Sequence, residues 1–387
     1  MPVEVATAAA TSTLEITVSK FELLRELTAT QGVVERKTTI PILSNYLFEA
    51  SGDKLSLTAT DLDLSLRTSC PAKVKKEGAC TIPARKLYDY VKLLPDADIT
   101  VRLLENHWVS IRCGRSNTKM VGMARSNFPG LPVFPSAGAI KIPAAVLRSM
   151  IAKTGFAIAN EESRYTLNGA LMVLKPESIT MVATDGHRLA HIERTGEKFD
   201  GVSGEMKTLI PKKAMDELKT LLDGGADKDV ETIDFAKDES TLFFRVGPRL
   251  LTSRQLTGQF PNYEAVLPKE ITKSILVQGD ELGAAISRVA QFADERSRAV
   301  RLRLEKNELK LSASSTETGE SEDSLEVAYN GDALSIGFNA QYLLDFIKAV
   351  GSGEVKLELK DAQSAGQLRP AESEDYKYRY IVMPMRI

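Results

Sequence analysis

Three apolar helical segments recur along the chain at a constant distance, and this repeat constrains the fold more than any other feature of the sequence. The segments are IPARKLYDYVKLLP from Ile82, IPKKAMDELKTLLDG from Ile210 and FNAQYLLDFIKAVGSG from Phe338, so both intervals are 128 residues. Each segment places large apolar residues at i, i+3 and i+4 and ends at Pro or Gly. A repeat of this length indicates three copies of one structural unit.

A second helical segment precedes each of these: SKFELLRELTATQGV, PAAVLRSMIAKTGFAI and GDELGAAISRVAQFA. Between the two helices of each copy, stretches such as KLSLTATDLDLSLRTS alternate apolar and polar residues, which predicts antiparallel strands. The pattern therefore predicts an α+β fold in which each copy packs two helices on antiparallel sheets. We expect helices at 19–33, 84–94, 143–158, 211–222, 279–293 and 339–350.

Two Pro-rich stretches separate the copies. FPGLPVFPSAG (Phe128–Gly138) and FPNYEAVLPKE (Phe260–Glu270) begin alike and are natural linkers. The predicted organisation is a loose, disordered extension at 1–13 followed by three domains, at 14–134, 140–263 and 264–387.

The composition is that of an ordinary globular protein, with 43% apolar and 26% charged residues in 387. A net charge of −2 argues against a nucleic-acid binder that depends on overall positive charge, but it does not exclude local basic patches. The three cysteines form neither a disulfide framework nor a zinc motif. No apolar run reaches the roughly 18 residues of a membrane span, and the start lacks the features of a signal peptide. We expect a cytoplasmic protein without a metal or cofactor.

The stretch TDGHRLA, Thr184–Ala190, brings a carboxylate, an imidazole and a guanidinium together and allows three interpretations. A catalytic site is disfavoured because the chain contains no Gly-rich phosphate loop, HExxH or GxSxG. His187 and His191, four apart on a strand, would lie about 13 Å apart, too far for one metal ion. The plainest interpretation is a hairpin around an Asp-Gly turn whose polar side chains satisfy local backbone groups. The third is the wall of a binding pocket.

Motifs in all three copies resemble the bacterial DNA polymerase III beta subunit family, the sliding clamps. They are TIPILSNYLFEA and LSLTATDLDLSL in copy one, RYTLNGALM, VATDGHRLA and GQFPNYEAVLP in copy two, and VRLRLEKNELKLSA, IGFNAQYLLDFI and YIVMPMRI in copy three. The resemblance implies three DNA-clamp domains in a non-catalytic processivity subunit that forms a head-to-tail homodimer ring. Its implied partners are double-stranded DNA, the polymerase III core, the clamp loader complex, other polymerases and repair proteins, with no membrane. It also implies a cytoplasmic protein that is associated with the nucleoid during replication.

A ring of this kind places twelve helices inside and the strands outside. With helices about 10 Å wide, the circle of helix axes is about 38 Å across and the hole about 28 Å, which admits a duplex. Such a ring would hold DNA by topology and would need only weak attraction to phosphates.

The charge of the helices agrees with this function, although it is equally typical of ordinary solvated helix faces. The six predicted helices carry 12 Lys or Arg and 8 Asp or Glu, so they are net positive in a net negative chain. The candidate phosphate contacts are Arg25, Arg85, Lys86, Lys92, Arg148, Lys153, Lys212 and Lys213. The resemblance adds Arg36 and Lys37, in a loop near DNA, and Tyr165, which matches an aromatic that touches single-stranded DNA.

The resemblance also implies that the TDGHRLA hairpin forms one wall of a pocket for short peptide motifs of partner proteins. Apolar walls suit an apolar peptide anchor, and flexible Met side chains suit many partners. The implied deep subsite comprises Leu167, Thr184, Gly186, His187, Arg188, Leu189, Pro261, Val266, Val382 and Met383. The implied shallower subsite adds Pro384, Met385 and Arg386.

For the dimer, the resemblance implies that an edge strand of domain one pairs with an edge strand of domain three in the other chain. The domain-one edge supplies Arg115, Lys119 and Met120, and the facing edge supplies Glu317, Glu320, Glu322 and Asp323, with Phe292 nearby. Opposite charges on the two edges would favour this pairing over pairing of like edges. An acidic run such as 317–323 is also typical of a solvated loop.

Two other functions compete with the clamp. A His-dependent hydrolase would lose turnover when His187 is replaced by Ala, and it predicts no threefold repeat. A β-rich structural scaffold predicts neither basic inner helices nor the terminal MPMRI motif. The repeat and the terminus favour the clamp over both.

Overall fold

The computed structural model describes residues 13–35, 38–135, 138–161, 163–224, 230–373 and 375–386. In these residues the six α-helices lie where the sequence predicts them. They are α1 (Lys20–Ala29), α2 (Ala84–Leu93), α3 (Ala144–Thr154), α4 (Lys212–Asp223), α5 (Gly279–Val289) and α6 (Ala340–Val350). None of them is long and apolar enough to span a membrane.

The strands of the three copies follow in chain order. Copy one has β1–β9: Glu15–Ser19, Asn45–Ser51, Lys54–Thr60, Leu64–Pro71, Lys73–Lys76, Gly78–Pro83, Asp98–Leu103, Trp108–Cys113 and Ser116–Val121. Copy two has β10–β17: Ile140–Pro143, Gly169–Lys175, Ser178–Thr184, Arg188–Thr195, Met206–Pro211, Thr232–Lys237, Thr241–Val246 and Arg249–Arg254. Copy three has β18–β25: Lys273–Gln278, Ala299–Glu305, Glu308–Ser315, Gly319–Glu326, Leu334–Asn339, Glu354–Leu359, Gly366–Pro370 and Lys377–Val382.

Local capping explains where the helices begin and end. The Ser19 hydroxyl accepts a hydrogen bond from the Glu22 amide at 3.1 Å, and the Asn339 side chain caps α6 in the same way. Three predicted helices extend several residues beyond the observed ones: α1 ends at Ala29 and is followed by a turn, and α3 and α5 run into short 3₁₀ turns at Gly155–Ala157 and Ala290–Phe292.

The chain divides into two compact units, one holding residues up to Ala144 with Asp216–Arg254, the other Ala145–Met215 with Gln255 onward. The first unit contains a five-stranded sheet, β5-β1-β7-β8-β9, and an eight-stranded sheet, β10-β15-β16-β17-β4-β3-β2-β6. The second contains an eight-stranded sheet, β14-β11-β12-β13-β25-β24-β23-β18, and a four-stranded sheet, β21-β20-β19-β22. All of these strand pairs are antiparallel, which confirms the predicted α+β architecture.

Each eight-stranded sheet joins four strands of one copy to four strands of the next. In the first unit β4 pairs with β17, with Leu64 opposite Ser253. In the second, β13 pairs with β25, with Arg188 opposite Val382. We call these contacts joint one and joint two. In both, a hairpin strand of one copy pairs with the last strand of the following copy.

A buried ion pair lies at joint one. Glu26 on α1 and Arg249 on β17 are 1% and 3% exposed, and two hydrogen bonds of 3.0 and 3.1 Å join them. Burial raises the pKa of Glu26, but hydrogen bonds from Arg249, Thr68 and Arg25 outweigh it, so the pKa lies below its ordinary value. Glu26 is therefore ionised at neutral pH and ties the helix to the sheet.

Replacing Arg249 by Met should lower the free energy of unfolding at pH 7 by about 3 kcal/mol, because a buried carboxylate loses its main partner. A Glu26→Gln/Arg249→Met double variant should recover part of that loss. Since the folded pKa of Glu26 is depressed, its contribution is present above the ordinary value of 4.5 and is lost as the pH falls through the lower folded value. Urea unfolding between pH 3 and 7 measures both effects, and an Arg249→Met variant as stable as wild type at pH 7 would contradict them.

Candidate functional site

The hairpin of β12 and β13 turns through Asp185–His187, and its polar groups satisfy one another. Gly186 has a φ of +89°, a conformation that favours glycine. The Thr184 hydroxyl accepts from the Gly186 amide at 3.1 Å and donates to the Arg188 carbonyl at 2.6 Å. The Asp185 carboxylate accepts from the amides of His187 and Arg188 at 2.9 and 3.0 Å. The Asp-Gly turn is thus built as the plainest interpretation of its sequence describes.

Arg188 anchors this hairpin to α6. Its side chain is 9% exposed and donates to Asp185, to Asp345 on α6 and to the carbonyl of Phe156, at 2.9, 2.5 and 2.6 Å. Its guanidinium also lies 4.4 Å from the centre of the Tyr342 ring. These contacts all lie within the protein, so Arg188 holds the hairpin in position against α6.

The two histidines of the hairpin differ in environment. His187 is exposed at the turn, whereas His191 is 9% exposed and its ring lies 5.6 Å from that of Tyr263. Burial is the main cause that lowers the pKa of His191, so this side chain is neutral at physiological pH. Among the described residues no cluster of three or more His, Cys, Asp or Glu side chains could hold a metal ion.

An apolar cavity of about 120 Å³ opens beside the hairpin. Two of its lining residues, Leu189 and Ile381, belong to a buried cluster that also includes Leu171, Val182 and Phe260. The residues that line it are Leu167, Thr184, Gly186, Arg188, Leu189, Pro261, Tyr263, Val266, Ile381 and Met383. Eight of these ten are among the residues that the resemblance implies, so the fold brings together most of the predicted subsite.

The cavity differs from the predicted deep subsite at the last strand. Leu189 pairs with Ile381, and side chains of paired residues share a face of the sheet. Val382, which was predicted here, is fully buried and lies on the opposite face, so Ile381 takes its place in the lining. Because side chains alternate between the two faces of a strand, the residue two positions before Met383 shares its face. Ile381 could have been identified from the sequence in this way.

Two further differences concern His187 and Tyr263. His187 is described but lies outside the residues that line the cavity, because its side chain projects from the turn into solvent. Tyr263 was not predicted, yet it lines the cavity two residues after Pro261 and packs against the buried cluster. An aromatic residue that follows a Pro within an apolar linker was the available signal.

The C-terminal segment is pinned beside the cavity by its backbone. The Met383 amide donates to the His187 carbonyl at 2.9 Å, and the Met385 amide donates to the Gly337 carbonyl at 2.8 Å. Pro384 and Met385 are half-buried and Arg386 is exposed. These three residues of the predicted shallower subsite are described and lie outside the cavity lining, next to Met383, whose side chain is 40% exposed.

The predicted phosphate contacts fall into two groups. Those with exposed side chains are Arg85, Lys86, Lys92 and Lys213, and Tyr165 is 55% exposed. Those that are half-buried are Arg25, Arg148, Lys153 and Lys212. Arg36 and Lys37 lie outside the described residues.

Two of the half-buried cations make extensive contacts within the protein. Arg25 forms ion pairs of 2.6 Å with both Glu22 and Glu26. Lys153 donates to the Ser149 hydroxyl at 3.1 Å and lies 5.0 Å from the centre of the Tyr376 ring, and burial lowers its pKa. The charge that these helices can offer to a phosphate is therefore smaller than the sequence count indicates.

The predicted dimer residues lie on two sheet edges. Lys119 and Met120 are on β9, after the turn that contains Arg115, and β9 is an outer strand of the five-stranded sheet. Glu320, Glu322 and Asp323 are on β21, an outer strand of the four-stranded sheet, and Glu317 is in the turn before it. Asp323 already pairs with Arg288 of α5 at 2.6 Å. Phe292 is half-buried just after α5.

Three family models cover nearly the whole chain. They describe the N-terminal, central and C-terminal domains of the DNA polymerase III beta subunit and match residues 14–132, 141–262 and 264–386.

Individual proteins and structures agree with these models. The chain is 35% identical to the beta sliding clamp of Proteus mirabilis and 34% identical to that of Escherichia coli strain K12. Each alignment covers 97% of this chain and 100% of the relative. The crystal structure of a sliding clamp from Pseudomonas aeruginosa bound to griselimycin matches with a TM-score of 0.89 at 34% identity, over 97% of this chain and 100% of that one.

The fold and these matches define a DNA clamp, built from three domains that pack helices on antiparallel sheets. The chain belongs to the bacterial DNA polymerase III beta subunit family, the beta sliding clamps. It is a non-catalytic processivity factor of DNA replication, and membership of this family excludes both the hydrolase and the scaffold interpretations.

Proposed function

We propose that two copies of this chain close head to tail into a ring around double-stranded DNA. The ring tethers the polymerase III core and presents the cavity beside the hairpin to the clamp loader complex, other polymerases and repair proteins. It works in the cytoplasm and is associated with the nucleoid during replication, because chromosomal DNA is the molecule that it encircles. The proposed domains are 14–134, 140–263 and 264–387, which the three family matches support.

The repeat itself supports the head-to-tail dimer. Joints one and two each pair a hairpin strand with the last strand of the next copy. Within the described residues, the remaining hairpin strand, β21, and the remaining last strand, β9, have a neighbour on one side only. A third joint of the same kind, between β21 of one subunit and β9 of the other, would complete two more sheets of the same design.

The register of this third joint follows from the other two. Ala59, Ala183 and Ala313 occupy the same position in the first strand of the hairpin of copies one, two and three. Their partners on the second strand of each hairpin are Leu66, Ala190 and Ser321 respectively. Leu66 in turn faces Leu251, and Ala190 faces Tyr380.

Arg249 and Ser116 are the first residues of β17 and β9 and pair with the preceding strand in the same way, so Thr118 on β9 is the equivalent of Leu251 on β17. Ser321 should therefore face Thr118 of the partner subunit. One residue along, Glu320 should face Lys119 of the partner subunit. Such a pair of opposite charges favours correct pairing of the two edges.

The charge pair can be tested by reversal. Lys119→Glu should weaken the dimer at least about tenfold by placing like charges opposite each other, as should Glu320→Lys, and the double variant should recover most of the affinity. Analytical ultracentrifugation measures all three dissociation constants. Rescue of Lys119→Glu by Glu322→Lys in place of Glu320→Lys would show that the proposed register is off by two residues.

The cavity beside the hairpin carries the proposal of peptide binding. Its volume of about 120 Å³ equals the space of roughly four water molecules, which suits a single apolar side chain. Apolar side chains line most of it, and the exposed Met383 offers an adaptable rim. The proposed peptide site combines these lining residues with the neighbouring His187, Val382, Pro384, Met385 and Arg386.

Joint one differs at two positions that matter for such a pocket. Leu62, with a φ of +83°, stands where joint two has Gly186, and its side chain is 50% exposed. Arg254 stands where joint two has Met383, and it lies 3.4 Å from Asp63. Larger and charged groups at joint one thus replace the two residues that leave joint two open and apolar.

Gly186→Leu should place at joint two the leucine that joint one has at this position. Binding of a peptide with a Leu or Phe anchor should fall at least about tenfold, because the new side chain competes for the cavity. The added Cβ meets only the tip of the flexible Arg164 side chain, at 2.9 Å. Leu62→Gly is the matched control and should leave peptide affinity unchanged. Fluorescence anisotropy of a labelled peptide measures both, and a folded, dimeric Gly186→Leu variant that binds like wild type would refute the pocket.

For DNA, the proposed contacts remain the cations and the aromatic residue named from the sequence. The exposed ones, Arg85, Lys86, Lys92, Lys213 and Tyr165, are best placed to meet a phosphate or base. A binding surface of so few exposed charges supports retention by topology over retention by affinity.

A further inference from the structure

The outward face of the five-stranded sheet concentrates positive charge. Residues paired across antiparallel strands share a face, so the pairing defines two rows that cross all five strands. The rows are Lys76, Glu15, Arg102, Ser110 and Lys119, and Lys73, Thr17, Thr100, Arg112 and Asn117. They contain five cations, all exposed, and one acid, Glu15, which pairs with Lys75 at 2.8 Å and more loosely with Arg102 at 4.0 Å. In a chain of net charge −2, this is a local basic patch.

The chain's one tryptophan lies at the end of the same face. Trp108 begins β8, two residues before Ser110, so the two side chains share a face. It is 42% exposed, and its neighbour Val121 on β9 is 52% exposed. In the turn before it, Asn106 and His107 have φ values of 53° and 62°, which residues other than glycine rarely adopt. A large aromatic ring thus lies exposed at the surface directly after this turn.

An open cavity of about 780 Å³ lies between the ring and the cations. Its lining consists of Thr13, Leu14, Lys76, Arg102, Leu103, Leu104, Glu105, Trp108 and Lys119. Lys76 and Arg102 are two strands apart, about 10 Å, and their long side chains can adjust to a flexible chain of phosphates.

We propose that this face binds single-stranded nucleic acid, with one base stacked on Trp108 and the phosphates held by Lys73, Lys76, Arg102 and Arg112. An exposed aromatic ring beside a basic groove is the combination that single-strand binding surfaces share. A duplex would hide its base faces from the ring, and an acidic peptide would leave the ring without a role. Lys119 also belongs to the proposed dimer edge, so the site depends on the other four cations. The residues of the site all lie on strands of this sheet, and none of them belongs to the lining of the cavity at joint two.

Because the chain has one tryptophan, fluorescence excited at a wavelength that tyrosine does not absorb reports on this site alone. Titration of the full-length dimer with octathymidylate at low salt should quench it in a saturable way. Lys76→Glu/Arg102→Glu should weaken binding at least about tenfold and reduce the slope of log K against log salt by about 1.4, which corresponds to two phosphate contacts. Lys269→Glu/Lys306→Glu changes the net charge equally at exposed positions elsewhere and should bind within about twofold of wild type.

Trp108→Ala removes the probe, so its affinity is measured by anisotropy of a labelled octamer and should fall about tenfold, with partial rescue by Trp108→Phe. The proposal is overturned if octathymidylate gives no saturable quenching, or if both double variants lose affinity equally. It is also overturned if a duplex octamer or polyglutamate quenches as strongly as the single strand. An octamer is too short to be held by topology, and the assay needs no clamp loader, so its result is independent of the clamp function.

Discussion

Antiparallel pairing between a hairpin strand of one copy and the last strand of the next is the interaction on which the rest of the structure depends. It turns two four-stranded half-sheets into one eight-stranded sheet at joint one and again at joint two. At joint two it also brings the Thr184–Arg188 turn beside Ile381 and Met383, so the cavity exists only because the strands pair in this register. The two edges left over, β9 and β21, are the basis of the proposed dimer.

The two joints have different residues at the same position of the last strand, and these residues make different contacts. Arg249 on β17 reaches Glu26 of α1 through a buried ion pair, whereas the equivalent Tyr378 on β25 donates its hydroxyl to the Lys153 carbonyl at 2.6 Å. The residue at this position of β9 is Ser116, which is too short for either contact. A third joint without this anchor would be weaker than the two within the chain, which suits a ring that has to open for loading.

The helices, the strand-rich repeat and the hairpin could be predicted from the sequence, because apolar periodicity and turn residues are local signals. The face on which a strand residue lies depends on register, and the register places Ile381, next to the expected Val382, in the cavity lining. The role of Arg188 could not be predicted, since its partners Asp345 and Phe156 are distant in sequence and meet it only in the folded chain. Arg25 and Lys153 show the same limit, because a count of charges does not reveal which ones are already paired.

The central claim, that two copies close into a ring that holds DNA by topology, is tested most directly by retention on circular and linear DNA. The protein is loaded onto a nicked plasmid by a clamp loader, the plasmid is linearised, and bound protein is followed by gel filtration at moderate salt. The ring predicts that protein stays on circles and is lost from linear DNA through the free ends. Equal loss from circular and linear DNA would contradict a closed ring and leave only electrostatic binding.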